Sequence, residues 1–291
     1  MKMKWRKTIT WVSVAAINSV HPVAAQPLYS PPNPSYQENS SIPIYVPPPE
    51  SNKRGICSLF VEPAIAQVID TYKGKWGILV ERLADGETIY HYNPDLALIP
   101  ASNIKILTTA AALQKLDPQT TISSNKSLRE WVNVTNLRSN NFYADTLLKY
   151  IGGSTAVKQE LSRLGINPRS FYLADGSGLS RRNVATPRAL VETLRAMYSA
   201  PNRDVFLASL PTAGISGTLR NRLKQTPVQG TVHAKTGTLR GVRALSGYME
   251  HQEYGTLVFS ILVNQPNQSG TSLVRAIDDI VLRLNMVTPC E

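Results

Sequence analysis

The feature that most restricts the fold of this 291-residue chain is a mirror order of secondary-structure signals at the two ends of its apolar portion. Near the start, Val61 to Tyr72 sets Ile65, Val68 and Ile69 at helical spacing, with Pro63 close to the first turn, where a missing N–H does no harm. Two β-prone runs follow, Trp76 to Leu83 and Glu87 to Tyr92, joined by Ala84-Asp85-Gly86, whose residues suit a tight turn. Near the end the order reverses. Strand-like runs Val242 to Glu250 and Thr256 to Asn264 precede Ser272 to Met286, where Leu273, Ile277, Ile280, Val281 and Leu284 share one helical face. Both ends can then contribute to one antiparallel sheet flanked by helices. Between them, Pro100 to Gln229 reads as mainly helical, with breaks at Gly152-Gly153 and Asp175-Gly176-Ser177-Gly178. The pattern predicts an α/β (α+β) protein, a sheet lobe built from both ends beside a helical lobe over about 100–229.

Two stretches precede this domain. Lys2, Lys4, Arg6 and Lys7 flank an apolar run from Ile9 to Val20 that exits through Val23-Ala24-Ala25, the order of a cleavable secretory signal over 1–25. The run is shorter than the ~20 residues of a membrane span, and no later run reaches that length, so a secreted protein without a membrane span is expected. Residues 26–54 turn to Pro, Ser, Asn and Tyr, including Pro31-Pro32-Asn33-Pro34 and Pro47-Pro48-Pro49, and read as an extended linker ahead of a domain at 55–291. The formal charge of +11 falls when the four cationic residues of the signal leave. The remaining positive excess suits an anionic envelope, and without a dense basic run interleaved with aromatics it gives no support to nucleic-acid binding. Cys57 and Cys290 stand one at each end of the domain, and in an oxidising compartment a disulfide between them is expected, two free thiols being the alternative. Two cysteines and four scattered histidines offer no metal site, and no cofactor motif occurs.

The chemistry concentrates in three short elements. Pro100-Ala101-Ser102-Asn103-Ile104-Lys105 leads into the apolar run Ile106 to Leu113, so Ser102 opens a buried helix with Lys105 one turn on. A serine becomes a nucleophile when a base takes its proton, and a lysine serves if burial or a nearby cation lowers its pKa. The same Ser-x-x-Lys spacing recurs at Ser123-Ser124-Asn125-Lys126 without a comparable helix, which measures how little it means alone. Ser139-Asn140-Asn141 forms a second element and His233-Ala234-Lys235-Thr236-Gly237-Thr238 a third, in the order known for serine acyl-transfer enzymes. Ser139 can pass a proton to a leaving amine, and Asn141 can orient Lys105 and hold a carbonyl. Lys235 adds a charge that depresses the Lys105 pKa, Gly237 leaves room for a peptide, and Thr236 and Thr238 offer hydroxyls to a carboxylate. The backbone N–H groups of Ser102 and Thr238 would form the oxyanion hole. Taken singly, the three elements read equally well as a helix cap, a turn and a strand edge.

On these motifs the chain resembles the D-Ala-D-Ala carboxypeptidase/endopeptidase family S13, the class C low-molecular-mass penicillin-binding proteins. Asp175-Gly176-Ser177-Gly178-Leu179-Ser180-Arg181, Leu210-Pro211-Thr212-Ala213-Gly214 with Gly217-Thr218-Leu219, and the segment from Ala234 to Leu239 with Gly247-Tyr248 are similar to further signatures of that family. The resemblance implies a transpeptidase-type fold, a periplasmic setting, peptidoglycan stem peptides as substrate, β-lactam antibiotics as covalent inhibitors, and catalysis by Ser102, Lys105, Ser139, Asn141 and Lys235. It places Arg181 along the substrate cleft, and Arg240 is a further candidate for a carboxylate contact. Family members commonly insert large domains between the first and second elements, whereas here only Ile106 to Arg138 intervenes. The third residue of the stem and any endopeptidase action on cross-links are therefore not assigned by the resemblance. Two other functions compete: a β-lactamase on the same fold, which needs a carboxylate to activate water, and a noncatalytic wall-binding module.

Overall fold

The computed structural model describes residues 56–123 and 125–289. The signal, the linker and Cys290 lie outside the described residues, so the expected Cys57–Cys290 pairing does too. The chain enters through a short strand β1 (Ile56–Cys57) and helix α1 (Ser58–Tyr72). The helix begins a turn earlier than its periodicity indicated, and Pro63 sits inside it. Strands β2 (Lys75–Arg82) and β3 (Thr88–Tyr92) form the expected hairpin, closed by Gly86 at φ 79° and by Asp85 Oδ1 accepting from the Glu87 amide at 3.1 Å.

The middle of the chain is mostly helical. It comprises α2 (Ile104–Lys115), strands β4 (Thr121–Ser123) and β5 (Lys126–Ser127), α3 (Leu128–Leu137), α4 (Asn141–Tyr150) and α5 (Gly153–Arg163). Strands β6 (Phe171–Tyr172) and β7 (Val184–Ala185) and helices α6 (Pro187–Tyr198) and α7 (Arg203–Ala208) follow. Their boundaries have local causes: Ser127 and Glu130 form a reciprocal capping box at α3, and Thr186 caps α6 just before Pro187. Strands β8 (Val232–Leu239), β9 (Val242–His251) and β10 (Gly255–Asn264), helix α8 (Gly270–Leu284) and strand β11 (Val287–Thr288) complete the chain.

One five-stranded antiparallel sheet has the order β3-β2-β10-β9-β8. Its centre joins the two ends of the sequence, because β2 pairs along its whole length with β10, Lys75 facing Asn264 and Arg82 facing Leu257. Period-two alternation divides the sheet's side chains between two cores. Ile78, Val80, Leu245, Phe259 and Ile261 pack with Ile65 of α1 and Leu273, Ile277 and Ile280 of α8. Leu79, Ala244, Val258 and Leu262 pack with α2 and α6, through Leu107, Ala111, Leu190 and Leu194. Strand β8 lies at the sheet edge, its first residues covered by Pro211 to Ala213, which bond to Val232 and Ala234 at 2.9 Å. A 3-10 turn, Ala101–Asn103, rests on β8 and β9 and delivers the chain into α2. No helix among the described residues is long and apolar enough to cross a membrane.

Candidate active site

Ser102 lies in that 3-10 turn, two residues ahead of the first residue of α2, and caps no helix. The turn is pinned to the sheet by Asn103, whose Nδ2 donates to Ser246 Oγ at 2.7 Å; Ser246 in turn donates to Ser260 Oγ at 2.8 Å, all three side chains being buried. Gly237 makes the close approach possible. A Cβ there would lie 2.6 Å from the Pro100 carbonyl oxygen and 2.8 Å from Ala244 Cβ. The open space at Gly237 is therefore filled by the turn that carries Ser102, and not by a bound peptide as the sequence suggested. Gly178 does the same from the other side: its φ is +87°, and a Cβ would fall 2.0 Å from the Ala101 carbonyl oxygen.

Lys105, in the first turn of α2, is fully buried and reaches back to Ser102 Oγ at 3.0 Å. It also donates to Asn141 Oδ1 at 2.8 Å and to the Ser177 carbonyl oxygen. Asn141 is the first residue of α4, and the preceding Asn140 caps that helix by accepting from the Tyr143 amide at 3.0 Å. The Ser-Asn-Asn element thus divides its labour, its middle residue building the helix start and its last facing the lysine. Ser139 sits ahead of the cap at φ 54°, a left-handed conformation that non-glycine residues seldom adopt and that concentrates at functional sites. Lys235 of β8 is fully buried and donates to Ser139 Oγ at 2.9 Å and to the Thr236 carbonyl at 3.0 Å. The competing Ser-x-x-Lys repeat falls at the β4–β5 hairpin, where Lys126 Nζ contacts Tyr143 Oη at 3.1 Å, away from this cluster.

Burial is what lowers both lysines. Desolvation brings Lys105 down to about 8, against the opposing charges of Asp145 and Asp175. Lys235 is lowered well below the ordinary lysine value, first by desolvation and then by the charge on Lys105. Of the two influences the sequence suggested, burial is the one that lowers Lys105, and the Lys235 charge is not what does so. Asp145 and Asp175 are committed elsewhere. Asp145 Oδ1 accepts from the Gly176 amide at 2.9 Å, and Asp175 accepts from the amides of Gly178 and Ser180 at 2.7 and 2.6 Å and from Asn183 Nδ2 at 2.8 Å. These bonds hold the Asp175 carboxyl below its usual range despite its partial burial, and they fix the loop that presents the Ser177 carbonyl to Lys105.

A cleft of about 350 Å³ opens over this cluster, lined by Ser102, Ser139, Asn141, Thr218, Thr236 and Thr238, with Leu179, Arg222 and Val274 at its walls. Thr236 Oγ1 donates to Thr218 Oγ1 at 2.7 Å. Arg181 and Arg240, proposed from the sequence, are not among the lining residues; both are exposed, and the Arg181 guanidinium donates to the Arg240 carbonyl oxygen. The cation in the cleft is Arg222, held by Asp278 of α8 at 2.6 Å. Sequence reasoning did not single out Arg222, Thr218 as a lining residue, or the Ser177 carbonyl. Only the Gly217-Thr218-Leu219 signature pointed toward that loop.

An antiparallel sheet with a helical lobe on one face, and a Ser-x-x-Lys turn lodged between them, defines the penicillin-binding and β-lactamase type of fold. Two solved structures share it: penicillin binding protein 4 from Haemophilus influenzae, with TM-score 0.65 and 16% identity over 76% of this chain and 99% of that one, and a β-lactamase from Chitinophaga pinensis, with TM-score 0.64 and 18% identity over 77% and 98%. The chain belongs to the D-Ala-D-Ala carboxypeptidase 3 (S13) family, whose model matches residues 61–129 and 124–284. Its curated relatives include a D-alanyl-D-alanine carboxypeptidase of an Actinomadura species, 43% identical over 162 residues, and a penicillin-sensitive carboxypeptidase A of Dictyostelium discoideum, 36% identical over 177. These matches take in 50% and 54% of this chain but only 30% and 34% of those proteins, so the chain spans about a third of the length of the relatives it matches.

Proposed function

We propose that the chain is a serine-type D-alanyl-D-alanine carboxypeptidase, exported by residues 1–25, that removes the terminal D-alanine of peptidoglycan stem peptides through an ester on Ser102. The observation that carries this reading is the meeting of two lysine–serine pairs in one cleft, Lys105 with Ser102 at 3.0 Å and Lys235 with Ser139 at 2.9 Å. A neutral lysine has two N–H donors and one lone pair. Asn141 Oδ1 and the Ser177 carbonyl are pure acceptors and take both donors, which leaves the lone pair for the proton of Ser102, its one hydroxyl partner. At a pKa of about 8, about one Lys105 in ten is neutral at pH 7.

As Ser102 Oγ attacks the carbonyl carbon, its proton passes to Lys105, and the amides of Ser102 and Thr238 receive the developing oxyanion. Lys235 donates to Ser139 Oγ, so the Ser139 hydrogen is free to be given to the departing amine as the C–N bond breaks. Ser139 recovers a proton from Lys105 across the cleft. Water then cleaves the ester, with Lys105 again taking the proton. The hydroxyls of Thr236 and Thr238 at the cleft favour a substrate ending in a carboxylate. No carboxylate is among the residues lining the cleft, and Asp145 and Asp175 are occupied by backbone amides, so rapid water activation of the β-lactamase kind lacks its base. The test is incubation with a fluorescent penicillin followed by mapping of the labelled peptide. Stoichiometric label on Ser102, absent in Ser102→Ala, is expected; label elsewhere, or many-turnover hydrolysis of nitrocefin, would overturn the reading.

A further inference from the structure

We infer that the cleft continues, on the leaving-group side, into an anionic-ligand subsite formed by Arg138 and Arg220. The inference rests on the acyl-transfer reading above. The departing amine must meet Ser139 Oγ to receive its proton, so whatever is attached to that amine extends past Ser139. Two features border that direction. Arg138 immediately precedes Ser139, and Thr218, which lines the catalytic cleft, also lines a neighbouring cavity of about 370 Å³. That second cavity is bounded by Leu137, Arg138, Gly217, Thr218 and Arg220. The catalytic cleft and this cavity therefore share a wall at Thr218, whose hydroxyl is tied to Thr236 at 2.7 Å.

The electrostatics of the second cavity are one-sided. Neither Arg138 nor Arg220 has a side-chain hydrogen bond or ion pair among the described residues, and both are exposed. Arg222, two residues on, is already neutralised by Asp278 at 2.6 Å. No carboxylate lines the cavity. Gly217 helps to set its shape: its φ is +54°, and a Cβ there would lie 2.5 Å from the Leu137 carbonyl oxygen, which clamps the Thr218 loop onto the end of α3. Two unpaired guanidiniums on a clamped wall suit a leaving group that carries a second carboxylate beyond the one next to its amine, as on the side chain of an acidic D-amino acid. The reaction is unchanged: the amide C–N bond breaks, the amine departs with the proton from Ser139, and the acyl group stays on Ser102 until water releases it.

The test compares acyl-D-alanyl-D-glutamate with acyl-D-alanyl-D-glutamine, which differ by one charge and not by size. At low ionic strength, kcat/KM for the D-glutamate peptide is expected to exceed that for the D-glutamine peptide about fivefold, the ratio of two exposed charge contacts. The ratio should fall toward one in the double variant Arg138→Gln, Arg220→Gln, and in the unaltered protein as salt is raised. A control change of the exposed Arg169, Arg169→Gln, should leave it alone. A ratio near one in the unaltered protein, or one that survives the double variant, would overturn the subsite while label on Ser102 keeps the catalytic reading. Failure to cleave either peptide together with no penicillin label would remove both.

Discussion

Gly237→Ala tests whether the third motif serves the substrate or the protein's own backbone. The added methyl would stand 2.6 Å from the Pro100 carbonyl oxygen, 2.8 Å from Ala244 Cβ and 3.3 Å from Asn103 Oδ1. A carbon and a carbonyl oxygen rest about 3.3 Å apart at closest, so the two backbones must separate by about 0.7 Å. Neither can yield easily: β8 is laddered to β9 from Val232 to Leu239, and the turn is bolted to the sheet through Asn103 and Ser246. Overpacking of this kind costs about 2 kcal/mol, a fall of about 4–8 °C in Tm for a domain of this size. The displaced atom is Ser102, and a shift approaching 1 Å in a nucleophile lowers the rate about 100-fold. The assay is the second-order rate of Ser102 labelling by a fluorescent penicillin, read beside a thermal melt. If Gly237 instead made room for peptide, labelling would proceed at the unaltered rate and only the KM for peptide would rise. That result would refute the geometry argued above.

Other changes are equally directed. Acylation should gain about tenfold per pH unit below 8 and level off above it, because neutral Lys105 is the reactive form and its pKa is about 8. Asp145→Asn keeps an oxygen for the Gly176 amide but removes a charge that raises the Lys105 pKa, so the acid limb of the same pH–rate profile should move to lower pH. Asp175→Ala strands the amides of Gly178 and Ser180 and the Asn183 side chain; a loss of about 2 kcal/mol in urea unfolding and slower acylation are expected, since the Ser177 carbonyl loses its mount.

The sheet was legible because its cause is local. Short β-prone runs in β2, β9 and β10 and the apolar face of α8 are written in consecutive residues, and the mirror order of the ends left one economical closure. The meeting of Lys105 with Ser102 and of Lys235 with Ser139 was legible because side-chain chemistry names its own partners: two lysines and two serines in order. The start of α1 was missed because a proline was taken for a boundary when tertiary packing against α8 sustains the helix around it. The Ser177 carbonyl was missed because a backbone oxygen has no letter in a sequence. The direction of Gly237 could have been read, since it stands two residues from Lys235 on a strand and must share its face. Arg181 was chosen by its place in a family signature and Arg240 for its charge, and neither says where a long side chain turns.

Burying Lys105 also shapes how the whole domain answers to alkali. Its folded pKa of about 8 lies below the 10.5 of an open chain, so between those values the unfolded state holds more protons and the native state gains ground as pH rises. Lys235, shifted in the same direction, adds to the slope. Near pH 10 the trend reverses, because Tyr90 and Tyr248 resist ionisation inside the fold while their unfolded counterparts give up protons freely. These four buried groups together therefore favour the folded state most in mildly basic surroundings.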